Sequence, residues 1–379
     1  MRTERIQALD VLRGVAILGT LGTNIWIFTS PDGAAGFLDL PTPDSAAGFT
    51  ELLLRFLSNG KFLALLSLMF GIGLELQYRS ARRRGARWPG WYLWRAALLF
   101  VEGTLHYILI FEFDVLMYYA IVSVLVAFLV GRSDRVRRTW LVVQAAIHLG
   151  LVGLLTAAML GGTGTLSGGT PAAGTGNWFA QVADRISMAA VYRSEVVLVL
   201  PLSTVLFLLG VELLRAGALE DSARGHRLRT KLSGFGLGIG VPLNLFTTFG
   251  GQGLFVLDRY LAAPVVALGL LGLITTLVLR TRGEPGPLRR GLTAVGRAAL
   301  SGYIFQNLAA GVLCYGWGLG LAATFADARP WWVIVVYIGL CGLLMTLSTL
   351  WLRRFSRGPV ELAWQWAYQA PQRSLSKVP

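Results

Sequence analysis

The chain has 379 residues, 54% of them hydrophobic and 14% charged, with a mean hydropathy of +0.60. A soluble domain carries roughly a quarter charged residues, so there is too little charge here to cover a globule in water, and the chain reads as a membrane protein. A net charge of +14 would point to nucleic acid in a soluble chain. Here the 34 Lys and Arg form short clusters between apolar runs, as cytoplasmic loops do. Nucleic acid is therefore set aside, and the basic loops suit anionic lipid headgroups or a phosphate-rich cofactor.

Apolar runs long enough to span a bilayer fall at roughly 12–29, 61–78, 91–109, 114–130, 140–160, 195–214, 232–249, 259–279, 297–315 and 331–352. Arg2 and Arg5 before the run from Val11 to Phe28 imitate a signal peptide. That run carries Arg13 and Asn24 and further spans follow it, so it reads as a retained first helix. Asp44 to Asn59 reads as an amphipathic lead-in to the second span. Residues 161–176 are a Gly/Thr-rich loop, and Asn177 to Arg193 has the periodicity of a helix lying on the membrane surface, so 161–194 forms an outer loop. The tail from 358 to 379 carries an interfacial segment, Val360 to Tyr368. Cys314 and Cys341 sit inside apolar runs and read as core residues, with no disulfide and no metal site expected. The fold class is all-α: one polytopic domain over 1–379 with about ten transmembrane helices.

Orientation follows from the basic residues between spans. Twenty-eight of the 34 Lys and Arg fall on one side, and six (Arg55, Lys61, Arg185, Arg193, Arg259 and Arg329) on the other. Every alternate loop obeys the positive-inside rule, which places both termini of this inner-membrane protein in the cytoplasm.

Ionisable groups inside the bilayer are costly and mark function or helix cross-links. Asp10 and Arg13 lie one turn apart at the inner end of span one. Asn24 is eleven residues beyond Arg13, close to three turns, so both share a face about 16 Å apart. In span three, Arg95, Glu102 and His106 lie on one stripe, and Glu102 can pair with His106 one turn away. Asp114 opens span four just beyond the next turn. Of the three histidines, only His106 has acidic neighbours at helical spacing, which makes it the best candidate for a general base. Lys61 lies on the same outer side and could hold a carbonyl or carboxylate, or simply snorkel. Gln306 and Asn307 lie deep in span nine, where adjacent amides either join helices or line a cavity. An inner layer of Asp10, Arg13, Arg95 and Arg297 thus faces an outer layer of Asn24, Lys61, His106 and Asp114, with Glu102 and Gln306 between.

Several segments carry a resemblance. They are Arg5-Ile6-Gln7-Ala8-Leu9-Asp10-Val11-Leu12-Arg13-Gly14 with Asn24, and Gly60-Lys61-Phe62 running into Leu68-Met69-Phe70-Gly71. Further on come Gly103-Thr104-Leu105-His106 with Asp114-Val115-Leu116, and Gly296-Arg297-Ala298-Ala299-Leu300 with Tyr303 and Gln306. Trp351-Leu352-Arg353-Arg354-Phe355 with Gly358-Pro359-Val360-Glu361 closes the set. In order, and over nearly the whole chain, they resemble the YeiB-like family of bacterial membrane proteins. The Asp-x-x-Arg-Gly opening also resembles the first span of lysosomal heparan-α-glucosaminide N-acetyltransferase. Its Arg-Gly is similar to that of bacterial surface-polysaccharide O-acyltransferases, where histidine stands at the position of Asn24.

The resemblance implies a transmembrane acyltransferase. Acyl-CoA, above all acetyl-CoA, would bind from the cytoplasm at Asp10, Arg13, Arg95 and Arg297, and no metal is expected. The acyl group would pass to a hydroxyl or amine of a small-molecule, lipid or glycan acceptor at the outer side. His106 would act as base, oriented by Glu102 or Asp114, with Asn24 or Lys61 at the oxyanion and Gln306, Asn307 and Tyr303 on the substrate. The chain departs from the lysosomal enzyme in having no histidine between Ile25 and Asn59. Gly302 also stands where an Asn is usual before the span-nine tyrosine, and Asn307 where Ser is common. The alternative is a transporter or exporter of a small solute, anionic ones included, with the polar track as its path. A non-catalytic sensor is a third class, and a homodimer is one of the assemblies left open.

Overall fold

The computed structural model describes residues 7–162, 177–281 and 284–375. Arg2, Arg5, the Gly/Thr-rich stretch 163–176, Arg282 and Lys377 lie outside them.

The described residues are helical and contain no strand. The chain begins with α1 (Gln7–Phe28), two short outer helices α2 (Ala34–Leu38) and α3 (Ala46–Ser58), then α4 (Lys61–Arg83) and α5 (Trp91–Leu109). Next come α6 (Leu116–Val130), α7 (Asp134–Leu160), the outer pair α8 (Trp178–Ser187) and α9 (Ala189–Tyr192), and α10 (Val196–Arg215). The second half holds α11 (Ala223–Gly238), α12 (Gly240–Phe249), α13 (Phe255–Leu257), α14 (Ala263–Arg280), α15 (Pro287–Arg297), α16 (Ala299–Cys314), α17 (Leu321–Thr324), α18 (Trp331–Arg354) and α19 (Pro359–Leu375). Side-chain oxygens start several of these helices: Ser45 accepts from Gly48 N, Asn177 from Ala180 N and Ser222 from Gly225 N. Each satisfies a backbone donor that the first turn would leave bare.

Seven helical stretches are long and apolar enough to cross a membrane: α1, α3 with α4, α7, α9 with α10, α11 with α12, α13 with α14, and α18. The shorter apolar helices α6 and α16 add two more. Helix α5, which carries Arg95, Glu102 and His106, is long enough to span but is not among those seven stretches. The protein is a multi-pass, all-α membrane protein. Val142, Leu154, Phe246, Val335 and Ile338 face outward and are exposed, as a lipid-facing surface requires.

The core is drawn tight by small residues, because helices in lipid associate by close packing. A Cβ on Gly14 of α1 would stand 2.0 Å from Leu292 O of α15, and one on Gly296 of α15 would stand 1.8 Å from Asp10 O. Gly71 of α4 and Gly210 of α10 meet each other's backbones in the same reciprocal way. Helix α1 is thereby buried on nearly every side. Helix α15 corrects the sequence reading, which took 280–297 as a basic loop. Gly291, Ala294, Val295 and Gly296 are buried on one face, and Arg289 and Arg290 lie on the other. The chain breaks at Ala298 and restarts as α16, so span nine is preceded by a separate helix.

Candidate functional site

The site begins at the α5–α6 turn. Gly103 lets α6 lie directly against α5: a Cβ there would be 2.6 Å from Met117 N and 3.0 Å from Asp114 Oδ1. This approach brings the carboxylate of Asp114 under the imidazole of His106. Asp114 Oδ1 accepts the Leu116 amide at 2.9 Å and so caps α6. Its Oδ2 lies 3.0 Å from His106 Nδ1, within ion-pair range though off the line of a straight hydrogen bond. The same Oδ2 accepts the Tyr303 hydroxyl at 3.2 Å, and the Tyr303 ring lies 4.9 Å from the imidazole.

On the other edge of the ring, His106 Nε2 lies 3.2 Å from Asn307 Nδ2, one turn past Tyr303 on α16. Asn307 Oδ1 accepts from Asn24 Nδ2 at 3.1 Å. With the Asn307 amide in this orientation Nε2 accepts, and the imidazole proton then belongs on Nδ1 beside Asp114. Gln306 donates to Thr20 Oγ1 at 3.3 Å and joins α16 to α1. His106, Asp114, Tyr303, Gln306 and Asn307 are all buried, and Asn24 is half-buried. Residues from α1, α5, the α5–α6 turn and α16 thus form one chain: Asn24, Asn307, His106, Asp114, Tyr303.

Below this chain lies a cavity of about 680 Å³. Arg13, Arg95, Arg297 and Arg357 line its inner part, and Tyr92, Trp364 and Tyr368 add aromatic walls. Deeper in, Ile17, Leu66, Met69, Leu99 and Leu116 line it, and Tyr303 closes the far end. Gln77 and Leu66, both in its wall on α4, are eleven residues apart, which gives a depth of about 16 Å. Arg95 donates to Gln77 at 2.9 Å and lies 4.9 Å from the Trp364 ring. Arg297 donates to Ser356 O at 3.3 Å, while its buried Nε has no acceptor among the described residues. Glu361 of α19 accepts Leu300 N at 2.8 Å and Ser301 N at 3.3 Å, capping α16 just before Tyr303. Asp10 is buried against α15 and does not line this cavity.

Two residues singled out in the sequence stand apart. Glu102 does not pair with His106, whose ring nitrogens face Asp114 and Asn307; its buried carboxylate has the Trp364 indole of α19 as its neighbour. Lys61 donates to Phe56 O and lies 4.3 Å from the Phe56 ring. It belongs to a second outer cluster, in which Asp258 Oδ1 accepts from Asn244, Thr247 and Thr248 and Oδ2 accepts from Asn59.

Sequence reasoning missed Arg193, Arg357, Glu361 and Trp364 as site residues. The available signal for Arg193 was its side: the six basic residues of the outer face all turn out buried or half-buried. Arg193 donates from Nη1 to Asp114 O at 2.6 Å and lies 3.6 Å over the Tyr107 ring.

The family model described as "Protein of unknown function (DUF418)" matches residues 213–370, which hold Arg297, Tyr303, Gln306, Asn307 and Glu361. The uncharacterized protein YxaH of Bacillus subtilis is 26% identical over 401 residues, covering 100% of this chain and 97% of that protein. The uncharacterized protein YeiB of Escherichia coli is 30% identical over 421 residues, covering 99% of both. An uncharacterized 39.9 kDa protein of Bacillus acidopullulyticus is 31% identical over 107 residues, 28% of each chain. With end-to-end similarity at this level, the chain belongs to the YeiB-like family, and its residues 213–370 carry the DUF418 match.

Proposed function

We propose that the protein is an acyl-CoA-dependent acyltransferase of the bacterial cytoplasmic membrane, with both termini in the cytoplasm. It moves an acyl group, in the simplest case acetyl, from the inner side to an acceptor hydroxyl or amine toward the outer side. The observation that carries the reading is the connection of the two layers. A cavity walled by four arginines ends at Tyr303, whose hydroxyl rests on the carboxylate that backs His106.

In this reading the guanidinium groups of Arg13, Arg95, Arg297 and Arg357 hold the phosphates of the donor. Arg297 has a buried Nε available for that role. The donor supplies an activated thioester. Asp114 keeps the imidazole proton on Nδ1, so that Nε2 receives the proton of the acceptor. The acceptor oxygen or nitrogen bonds to the acyl carbon as the carbon–sulfur bond breaks. The thiolate leaves through the cavity, and the proton passes from His106 to it or to water. The amide of Asn307, already on Nε2, gives way to the acceptor and can then donate to the developing oxyanion together with Asn24.

Titration calorimetry of acetyl-CoA into detergent-purified protein tests the donor half. The expected result is binding that weakens by roughly tenfold in Arg297→Gln and in Arg95→Gln, a loss of about 1.4 kcal/mol in each. Absence of acetyl-CoA binding, with solute uptake into proteoliposomes that depends on the protein, would replace this reading with the transporter.

A further inference from the structure

The outer end of the site holds a guanidinium whose pairing is incomplete. Arg193 stands between α9 and α10, immediately outside Asp114. Its Nη1 donates to Asp114 O at 2.6 Å. Tyr107 stacks on it at 3.6 Å and Tyr118 flanks it at 5.3 Å. Tyr118 donates its hydroxyl back to Arg193 O at 3.4 Å, and Tyr107 donates to Arg185 O, so both rings are fixed in place. The remaining nitrogens, Nε and Nη2, are buried; the Tyr107 and Tyr118 hydroxyls are the guanidinium's neutral neighbours, and no carboxylate among the described residues pairs with these two nitrogens.

Those two nitrogens form one edge of the guanidinium plane, the edge that presents two parallel N–H groups to a carboxylate or phosphate. The protein uses this edge elsewhere for that purpose. Arg55 holds Glu51 Oε1 through Nε at 2.9 Å and Nη2 at 2.6 Å. Arg259 holds Glu195 Oε1 through the same two nitrogens, both at 3.3 Å. At Arg193 the neighbouring carboxylates lean on other partners: Asp114 on His106 and Tyr303, Glu112 through Oε2 on Arg185, and Glu195 on Arg259 and Tyr260. A buried charge with no opposite charge on its hydrogen-bonding edge is costly, and such groups in native proteins call for a specific explanation.

We propose that Arg193 is an oxyanion receptor for the acyl acceptor. Its Nε–Nη2 edge takes a carboxylate or phosphate ester of the acceptor side-on, above the His106–Asp114 pair. The acceptor is thereby an anionic compound, in which a hydroxyl or amine near the oxyanion is the group acylated. The word acceptor rests on the acyl-transfer reading; the binding of an oxyanion at Arg193 does not.

The test is binding without turnover. Wild-type protein in phosphatidylcholine nanodiscs is titrated with glycerol phosphate and with glucuronate. In a separate arm, phosphatidylglycerol is mixed into the disc lipid, to distinguish a soluble oxyanion from a lipid headgroup. The expected result is saturable binding of at least one probe that falls by roughly tenfold or more in Arg193→Lys, which keeps the charge and loses the fork. Acetyl-CoA affinity stays unchanged in that variant. Probes that bind no better to wild type than to Arg193→Gln, or a lysine variant equal to wild type, would overturn the proposal. Should the Arg193 variants fail to fold, Tyr118→Leu removes a flanking ring instead: weaker probe binding supports the receptor, and unchanged binding refutes it. Loss of acetyl-CoA binding with intact Arg193-dependent oxyanion binding would overturn the inner-cavity reading alone.

Discussion

Replacing Gly103 by alanine gives a measurable test of how the site is assembled. The added methyl carbon would meet Met117 N at 2.6 Å and Asp114 Oδ1 at 3.0 Å. Ordinary carbon contacts begin near 3.4 Å, so the α5–α6 turn must open by about 0.8 Å to admit it. Neither atom is a flexible side-chain tip, because Asp114 Oδ1 is held by the Leu116 amide. The cost in stability should be about 1–3 kcal/mol, the range for overpacking a close-packed site. An opening of that size also carries Asp114 away from His106 Nδ1, now 3.0 Å distant, and displacement on the order of 1 Å can lower a reaction rate about 100-fold. Thermal unfolding in detergent and acyl transfer measured side by side should both fall, while acetyl-CoA binding at the arginine-lined cavity is retained. Gly153→Ala is the internal control: nothing lies within 4 Å of that position on α7, and the helix should gain about 0.5–1 kcal/mol from the change. A Gly103→Ala protein that melts and turns over like wild type would refute the close α5–α6 approach on which the site depends.

Other substitutions separate the parts. Asp114→Asn keeps the acceptor for Leu116 but can set an amide donor against Tyr303 and the Nδ1 proton. We expect turnover down by about 10²–10⁴-fold with acetyl-CoA affinity unchanged by calorimetry. Glu361→Ala removes the cap of α16 and should cost about 0.5–2 kcal/mol, read as a lower melting temperature, with a fall in turnover because Tyr303 and Asn307 ride on that helix. Lys61→Met should lower the melting temperature by uncovering the buried Asp258, yet leave acetyl-CoA binding and transfer intact. Loss of transfer in a folded Lys61→Met protein would place that cluster inside the site.

The parts of the fold that hydropathy records were legible in the sequence, and those set by long-range packing were not. The run predicted at 91–109 coincides with α5 (Trp91–Leu109), because it stays apolar over a spanning length despite Arg95, Glu102 and His106. Helix α15 was hidden because its four-residue apolar face is interleaved with arginines, and only its backbone contact with α1 shows why it is helical. His106 and Asp114 could be matched across a short turn. Tyr303 and Asn307 are 189 and 201 residues away from their partners, a distance no local pattern spans. The expected Glu102–His106 pair followed the spacing rule for an isolated helix. Gly103 overrules it, because it admits Asp114 to the imidazole from the neighbouring helix. Arg193 entered the sequence reading only as a topology marker. What sets it apart is a hydrogen-bonding edge that no carboxylate takes, which only three-dimensional neighbours reveal.

Inside-out membrane vesicles test the central claim most directly. Radiolabelled acetyl-CoA supplied to the exposed cytoplasmic face should yield label that is covalently held by material in the membrane or lumen. Its appearance should depend on the protein and vanish in His106→Ala, while that variant still binds acetyl-CoA. Label that never leaves CoA, or that is transferred equally well without His106, would contradict the account.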